Sequence, residues 1–278
     1  MNPFADDFAL PRAPKAEPTE EERLFSDVPQ GAFTLVLERY NSKDCSSAAV
    51  PDGVTQILEG AFRGHTELVE VTLPKTLQSI GPKAFSGCTS LKEIRIPDAV
   101  FEIGRSAFSG CTALKKVVLP NALFSIERST FQGCSSLLTV EGGAEIDRIA
   151  GNAFSGCTHL EDLDLIAHAK TIGSAAFAGC SFSHVELPQH MTSIGNEAFK
   201  SCRRLASIAL PKEIDNMGRD VFLNCKNAEF GEEARQLAMR FPKAFPKALR
   251  EPLPADSTDA SQDASQDASP NFDSNNEA

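Results

Sequence analysis

The sequence predicts a solenoid of the α/β class, built from coils of about 23 residues, and three observations predict it. The first is a column of phenylalanines. Phe85, Phe108, Phe131, Phe154 and Phe177 follow one another at intervals of 23, Phe62 stands 23 before them, and Phe199 and Phe222 follow after 22 and 23. A constant period of this size marks a chain of stacked repeats, each burying its apolar side only against its neighbours. The second is a column of cysteines three residues after the Phe: Cys88, Cys111, Cys134, Cys157, Cys180, Cys202 and Cys225. The third is an alternating apolar pair that ends at a proline, as in Ile94, Ile96 and Pro97.

Counted from the Cys position, three residues on lie Leu68, Leu91, Leu114, Leu137, Leu160 or Leu205. Six on lie Val71, Ile94, Val117, Val140, Leu163 or Ile208, and eight on Leu73, Ile96, Leu119, Leu165 or Leu210. A separation of two points both side chains the same way on an extended strand. Pro74, Pro97, Pro120, Pro188 and Pro211 end these strands, because proline cannot donate to a ladder. An apolar residue and a glycine follow, in Ile80-Gly81, Ile103-Gly104, Ile172-Gly173, Ile194-Gly195 and Met217-Gly218. Glycine there suits a tight corner at positive φ. The Ala-Phe-x-Gly-Cys segment then closes the coil, its Phe plugging the interior.

The repeated motif I-G-x-x-A-F-x-G-C-x-x-L-x-x-I-x-I-P, carried over about residues 54–230, resembles the leucine-rich repeat of the BspA-like type. The resemblance implies a right-handed curved solenoid with a parallel sheet on its concave face and short irregular or helical turns on the convex one. It also implies a binding function, or adhesion where such proteins are displayed on a surface. Three repeats depart from the motif. His65 replaces the first Cys, Gly142 replaces the third strand residue in the fourth repeat, and one residue is missing between Cys180 and Val185.

The ends differ from the repeats. Residues 1–29, rich in Pro, Glu and Ala, read as disordered, with Thr19-Glu20-Glu21-Glu22 suited to a helix start. Residues 30–250 form the solenoid with its caps. Phe33, Leu35 and Leu37 alternate as in a strand, which is expected to cover the first coil. A Ser-rich loop with Cys45 leads from it to Val50-Pro51. Residues 232–241 place Ala234, Leu237, Ala238 and Phe241 on one helical face, with Glu early and Arg late, an amphipathic cap for the last coil. The following FPKAFPKALR is read as an extended tail packed on that cap, and residues 251–278 as a disordered acidic tail.

Charge narrows the function. The formal net charge is -11; residues 251–278 carry seven acidic and no basic residues, and residues 1–29 seven acidic against three basic. That leaves residues 30–250 neutral, with no basic excess to attract nucleic acid. Neither a membrane span nor a secretory signal is readable, and buried reduced cysteines are expected, so the expected home is the cytoplasm. The alternative is a secreted or surface adhesion protein that leaves without a readable signal.

No catalytic pattern is visible. The five histidines (His65, His159, His168, His184, His190) fall at different repeat positions, and the glycines form corners rather than a phosphate loop. No cofactor or metal is expected. Binding is expected instead, by a monomer, through strand residues facing outward: Glu93, Arg95, Lys116, Glu141, Asp162, Asp164 and Glu186. The last four form an acidic run on neighbouring strands, where like charges repel without structural return, and this points to a protein partner with a basic segment. A solvated polar face is the plain alternative for the same residues. Asn2-Pro3-Phe4 resembles a ligand of EH domains, and Ser261-Gln262 and Ser265-Gln266 resemble kinase sites. Both are short enough to arise by chance.

Overall fold

The computed structural model describes residues 35–41, 45–161 and 164–249. The two ends expected to be disordered, the Asn2-Pro3-Phe4 motif, the Ser-Gln pairs and Phe33 lie outside these residues.

The chain winds into a parallel solenoid in which each coil has three sides. The first side carries the expected three- or four-residue strands: β4 (Glu70–Thr72), β6 (Glu93–Arg95), β8 (Lys116–Leu119), β10 (Thr139–Gly142), β13 (His184–Glu186) and β15 (Ser207–Ala209). Their middle residues are buried and their flanks largely exposed, as the alternation predicts. Pairing is in register with the repeat: Glu93 beside Lys116 beside Thr139.

The second side departs from the expectation of a simple corner. The apolar residue before each glycine belongs to a two-residue strand: β5 (Ser79–Ile80), β7 (Glu102–Ile103), β9 (Ser125–Ile126), β11 (Arg148–Ile149), β12 (Thr171–Ile172), β14 (Ser193–Ile194) and β16 (Asn216–Met217). These line a second face in two parallel ladders, one of β1 (Leu35–Leu37), β3 (Val54–Ile57), β5 and β7 and the other of β9, β11, β12, β14 and β16. The glycines that follow do not adopt positive φ. They are small because the coils nearly touch: a Cβ on Gly104 would lie 2.5 Å from the Pro82 nitrogen, and one on Gly195 2.4 Å from the Ser174 nitrogen. Positive φ falls elsewhere, at Gly87, Gly110, Gly133, Gly156 and Gly179, where Ser201 and Asn224 take the same conformation in the last coils.

The third side, Ala-Phe-x-Gly-Cys, is a turn whose amides also bridge coils. The Phe85 N–H donates to Ala107 O at 2.7 Å, and the same bond recurs from Phe108, Phe131, Phe154, Phe177 and Phe199 at 2.8–2.9 Å. Inside, the rings of Phe62 through Phe222 stack one per coil with centroids 4.7–5.9 Å apart. All are buried.

The ends are capped by residues that imitate a coil. Tyr40 continues the ring column, 4.9 Å from Phe62. The segment read as a Ser-rich loop contains a strand, β2 (Ser47–Ala49), that pairs with β4. A weakly written coil thus precedes the first obvious repeat. At the other end β17 (Glu229–Phe230) pairs with β15 and leads into helix α1 (Glu232–Arg240), which buries Ala234, Leu237 and Ala238 as expected. The segment after it is not extended. It turns and ends in a 3-10 helix, Lys247–Leu249, while Phe245 packs on Phe222.

The coil after Cys157 also departs from expectation. Where a strand through Leu163 and Leu165 was predicted, residues Asp164–His168 form a 3-10 helix. Gly142, at φ +83, ends the strand of the preceding coil, and a Cβ there would lie 2.2 Å from Leu119 O. The next coil is the one that lacks a residue. Defects in adjacent coils interrupt the ladder there, and the first side comprises three ladders, β2-β4, β6-β8-β10 and β13-β15-β17, with a further break between β4 and β6.

Candidate functional site

The outward positions of the first side are the candidate site. Glu93 and Arg95 flank buried Ile94 on β6 and are exposed. With Glu70 on β4, Lys92, Lys75 and Asp98 they line a groove of about 1080 Å³ across the β4 and β6 coils. Both charge signs meet there, and half-buried Val69 and Leu73 and buried Val71 also contribute to its lining.

The acidic run does not assemble as the sequence implied. Glu141 is exposed on β10, but its Oε1 lies 2.7 Å from the Nζ of Lys116 on β8, so its charge is already answered. Asp164 opens the 3-10 helix and stands off the strand ladder. Asp162 lies outside the described residues. Glu186 is exposed on β13, beyond the interruption, with Ala209 as its lateral neighbour. Of the seven expected residues, Glu93 and Arg95 share the groove, Lys116 and Glu141 pair with each other, and Asp164 and Glu186 stand apart. Sequence reasoning missed Lys92, Lys75 and Asp98; their place beside the strand, at the turns entering and leaving it, is the signal that would have found them.

The cysteine column serves structure. Each thiol donates to the carbonyl of the Phe one coil earlier: Cys88 to Phe62 O at 3.1 Å, Cys134 to Phe108 O at 3.2 Å, Cys225 to Phe199 O at 3.0 Å. Burial pushes Cys88 and Cys180 up to about 12 and holds Cys111, Cys134 and Cys157 well above the ordinary thiol value. These are the opposite of activated nucleophiles. His65, in the Cys position of the first repeat, does the same job: its Nε2 donates to Tyr40 O at 3.0 Å. Among the described residues no group of three or more His, Cys, Asp or Glu is placed to hold a metal ion. No helix among them is long and apolar enough to cross a membrane.

Comparison with known proteins agrees with this architecture. The chain is similar to three solved bacterial leucine-rich repeat proteins. With that of Bacteroides ovatus it shares 26% identity at a TM-score of 0.59, over 67% of this chain and 55% of that one. With that of T. pallidum the values are 26%, 0.58, 78% and 93%, and with that of Eubacterium ventriosum 25%, 0.51, 68% and 45%. The chain therefore spans about half the length of the first and the third. No curated protein matches the sequence. A family model described as the BspA type leucine rich repeat region, in six copies, matches residues 38–161 and 126–234. Those residues are the coils that carry the Phe and Cys columns, and the chain belongs to the BspA type leucine-rich repeat proteins.

Proposed function

We propose that this protein is a non-catalytic protein-binding module whose site is the groove over β4 and β6. The observation that carries this reading is the groove itself, lined by exposed Glu70, Glu93, Arg95 and Lys92 with Val69 and Leu73 half-buried beside them. An open groove of that kind suits a short extended protein segment, whose apolar side chains meet Val69 and Leu73 while its charges pair with the rim. Since both signs line the groove, the partner segment carries both, and the basic part answers Glu70 and Glu93. The site works inside the cell, a reading supported by seven thiols each committed to a carbonyl rather than to a bridge.

The test is a capture experiment with the full chain and with Glu93→Arg/Arg95→Glu, the variant first shown to fold by circular dichroism. A partner identified by mass spectrometry with the natural chain and weakened at least tenfold by the charge reversal supports the groove. Equal retention by both proteins overturns the site.

A further inference from the structure

Two phenylalanines break the pattern that buries the rest of the column. Phe101 and Phe124 occupy the same repeat position in neighbouring coils, immediately before β7 and β9 on the second face, and are 56% and 64% exposed. Exposed Ala99 and Ala122 lie two residues before them. The second-face ladder breaks between β7 and β9, but the two coils stay joined on the next side, where the Ser106 N–H donates to Arg128 O at 2.9 Å, so the two rings stand on neighbouring coils. Arg105 and Arg128, again at one repeat position, lie four residues beyond the two Phe and are exposed. Among the described residues neither has an ion-pair partner. The second face therefore shows an apolar pair with a basic pair beside it, and apolar patches of this kind are normally covered.

What can cover it is within reach. The 34 residues before β1 enter the fold on this same face, since β1, β3, β5 and β7 form one sheet. The Phe101 coil is three strands from β1, about 14 Å at the usual spacing, and the Phe124 coil is the next one on. Leu24 and Phe25 precede Leu35 by 11 and 10 residues, a reach of up to ~33 Å. Glu20, Glu21 and Glu22 come just before them. The polarity also fits. A segment laid antiparallel to β7, with its glutamates over the arginines and Phe25 over the phenylalanines, leaves at the edge where β1 begins. Pro29 and Gly31 then supply a reversal.

We propose that the N-terminal segment docks on this patch in cis, Leu24 and Phe25 covering Phe101 and Phe124 while Glu20–Glu22 face Arg105 and Arg128. Tethering gives such a contact a high effective concentration, so a modest intrinsic affinity keeps it closed. This inference concerns the second face and stands independently of the groove on the first.

Limited trypsin digestion of the full chain tests it. Arg23 lies inside the docked stretch, whereas Arg12 lies outside and serves as an internal control. Cleavage of a briefly opened segment tracks the open population, so releasing a segment that is docked nine-tenths of the time speeds cutting about tenfold. Phe101→Ser/Phe124→Ser, with unchanged circular dichroism, is expected to accelerate cleavage after Arg23 by about that factor and leave Arg12 unaffected; Arg105→Gln/Arg128→Gln gives a smaller acceleration. Equal rates at Arg23 in natural and Phe-substituted chains overturn the proposal. So does protection that grows with protein concentration, which would put a second copy on the patch.

Discussion

The thiol of Cys157 donates to the carbonyl of Phe131, 3.2 Å away and 26 residues earlier in the chain. Cys180 makes the same bond to Phe154, at 3.3 Å. The thiol thus joins each coil to the one before it, and the Phe131 carbonyl also accepts the Cys134 N–H of its own coil at 3.2 Å. Cys157→Val keeps nearly the same volume and removes the donor. It is expected to cost about 0.5–1.5 kcal/mol in urea titration, the worth of one hydrogen bond, because Phe131 O keeps its bond from the Cys134 N–H. A change within error would make the column a matter of size alone.

Thiol chemistry follows from the same burial. Cys45 is partly exposed and the seven column cysteines are buried. Native protein is expected to react with a disulfide reagent quickly at one thiol, and at eight once denatured. More than one fast thiol in the native state would show that the coils open readily.

Alkaline pH should destabilise the fold. Burial raises Cys88 and Cys180 from 9.0 to about 12, so the unfolded chain loses these protons first. Their contribution is intact below pH 9 and is lost as pH rises from 9 towards 12, by up to about 1.4 kcal/mol per unit for each thiol. Denaturation midpoints followed across that window test it; a flat profile contradicts the burial.

Phenylalanine should matter by position and not by type. Phe154 lies between Phe131 and Phe177, with centroids 5.3 and 5.6 Å away, and is fully buried. Phe154→Ala is expected to cost roughly 3–5 kcal/mol. Phe101→Ala, at an exposed position, should change stability by about 0.5 kcal/mol or less, plus whatever a docked segment contributes. Similar losses at both positions would put the ring column in doubt.

Two glycines separate crowding from backbone conformation. Gly195→Ala would drive a Cβ to 2.4 Å from the backbone of the preceding coil, and about 1–3 kcal/mol or more should be lost. At Gly156, φ +79, a Cβ meets nothing nearer than 3.6 Å, so Gly156→Ala meets only the left-handed cost, about 1–2 kcal/mol. Thermal melts of the two variants give the order; the reverse order would mean the second side yields more easily than its packing implies.

Much of this protein was legible in its sequence because a solenoid repeats one local problem in every coil. The 23-residue period placed the Phe column inside, and the spacing of Ile94 and Ile96 placed Glu93 and Arg95 outside. A residue's environment in such a fold depends on its repeat position, so it can be read by alignment within the chain. What depends on contacts between coils could not be read in this way. Ser47–Ala49 is a strand because β4 offers it an edge, although its own sequence is weak. Gly104 is small because Pro82 lies against it, a distance that no local pattern encodes. The acidic run looked continuous along the alignment, yet Lys116 neutralises Glu141 and the 3-10 turn removes Asp164 from the ladder. The sequence alone determined the repeat, its buried columns and its outward positions, because each is a local alternation copied through the chain. The tertiary structure alone decided which outward residues meet, because lateral pairing, interruption of a ladder and close approach of coils arise only when one coil is laid on the next.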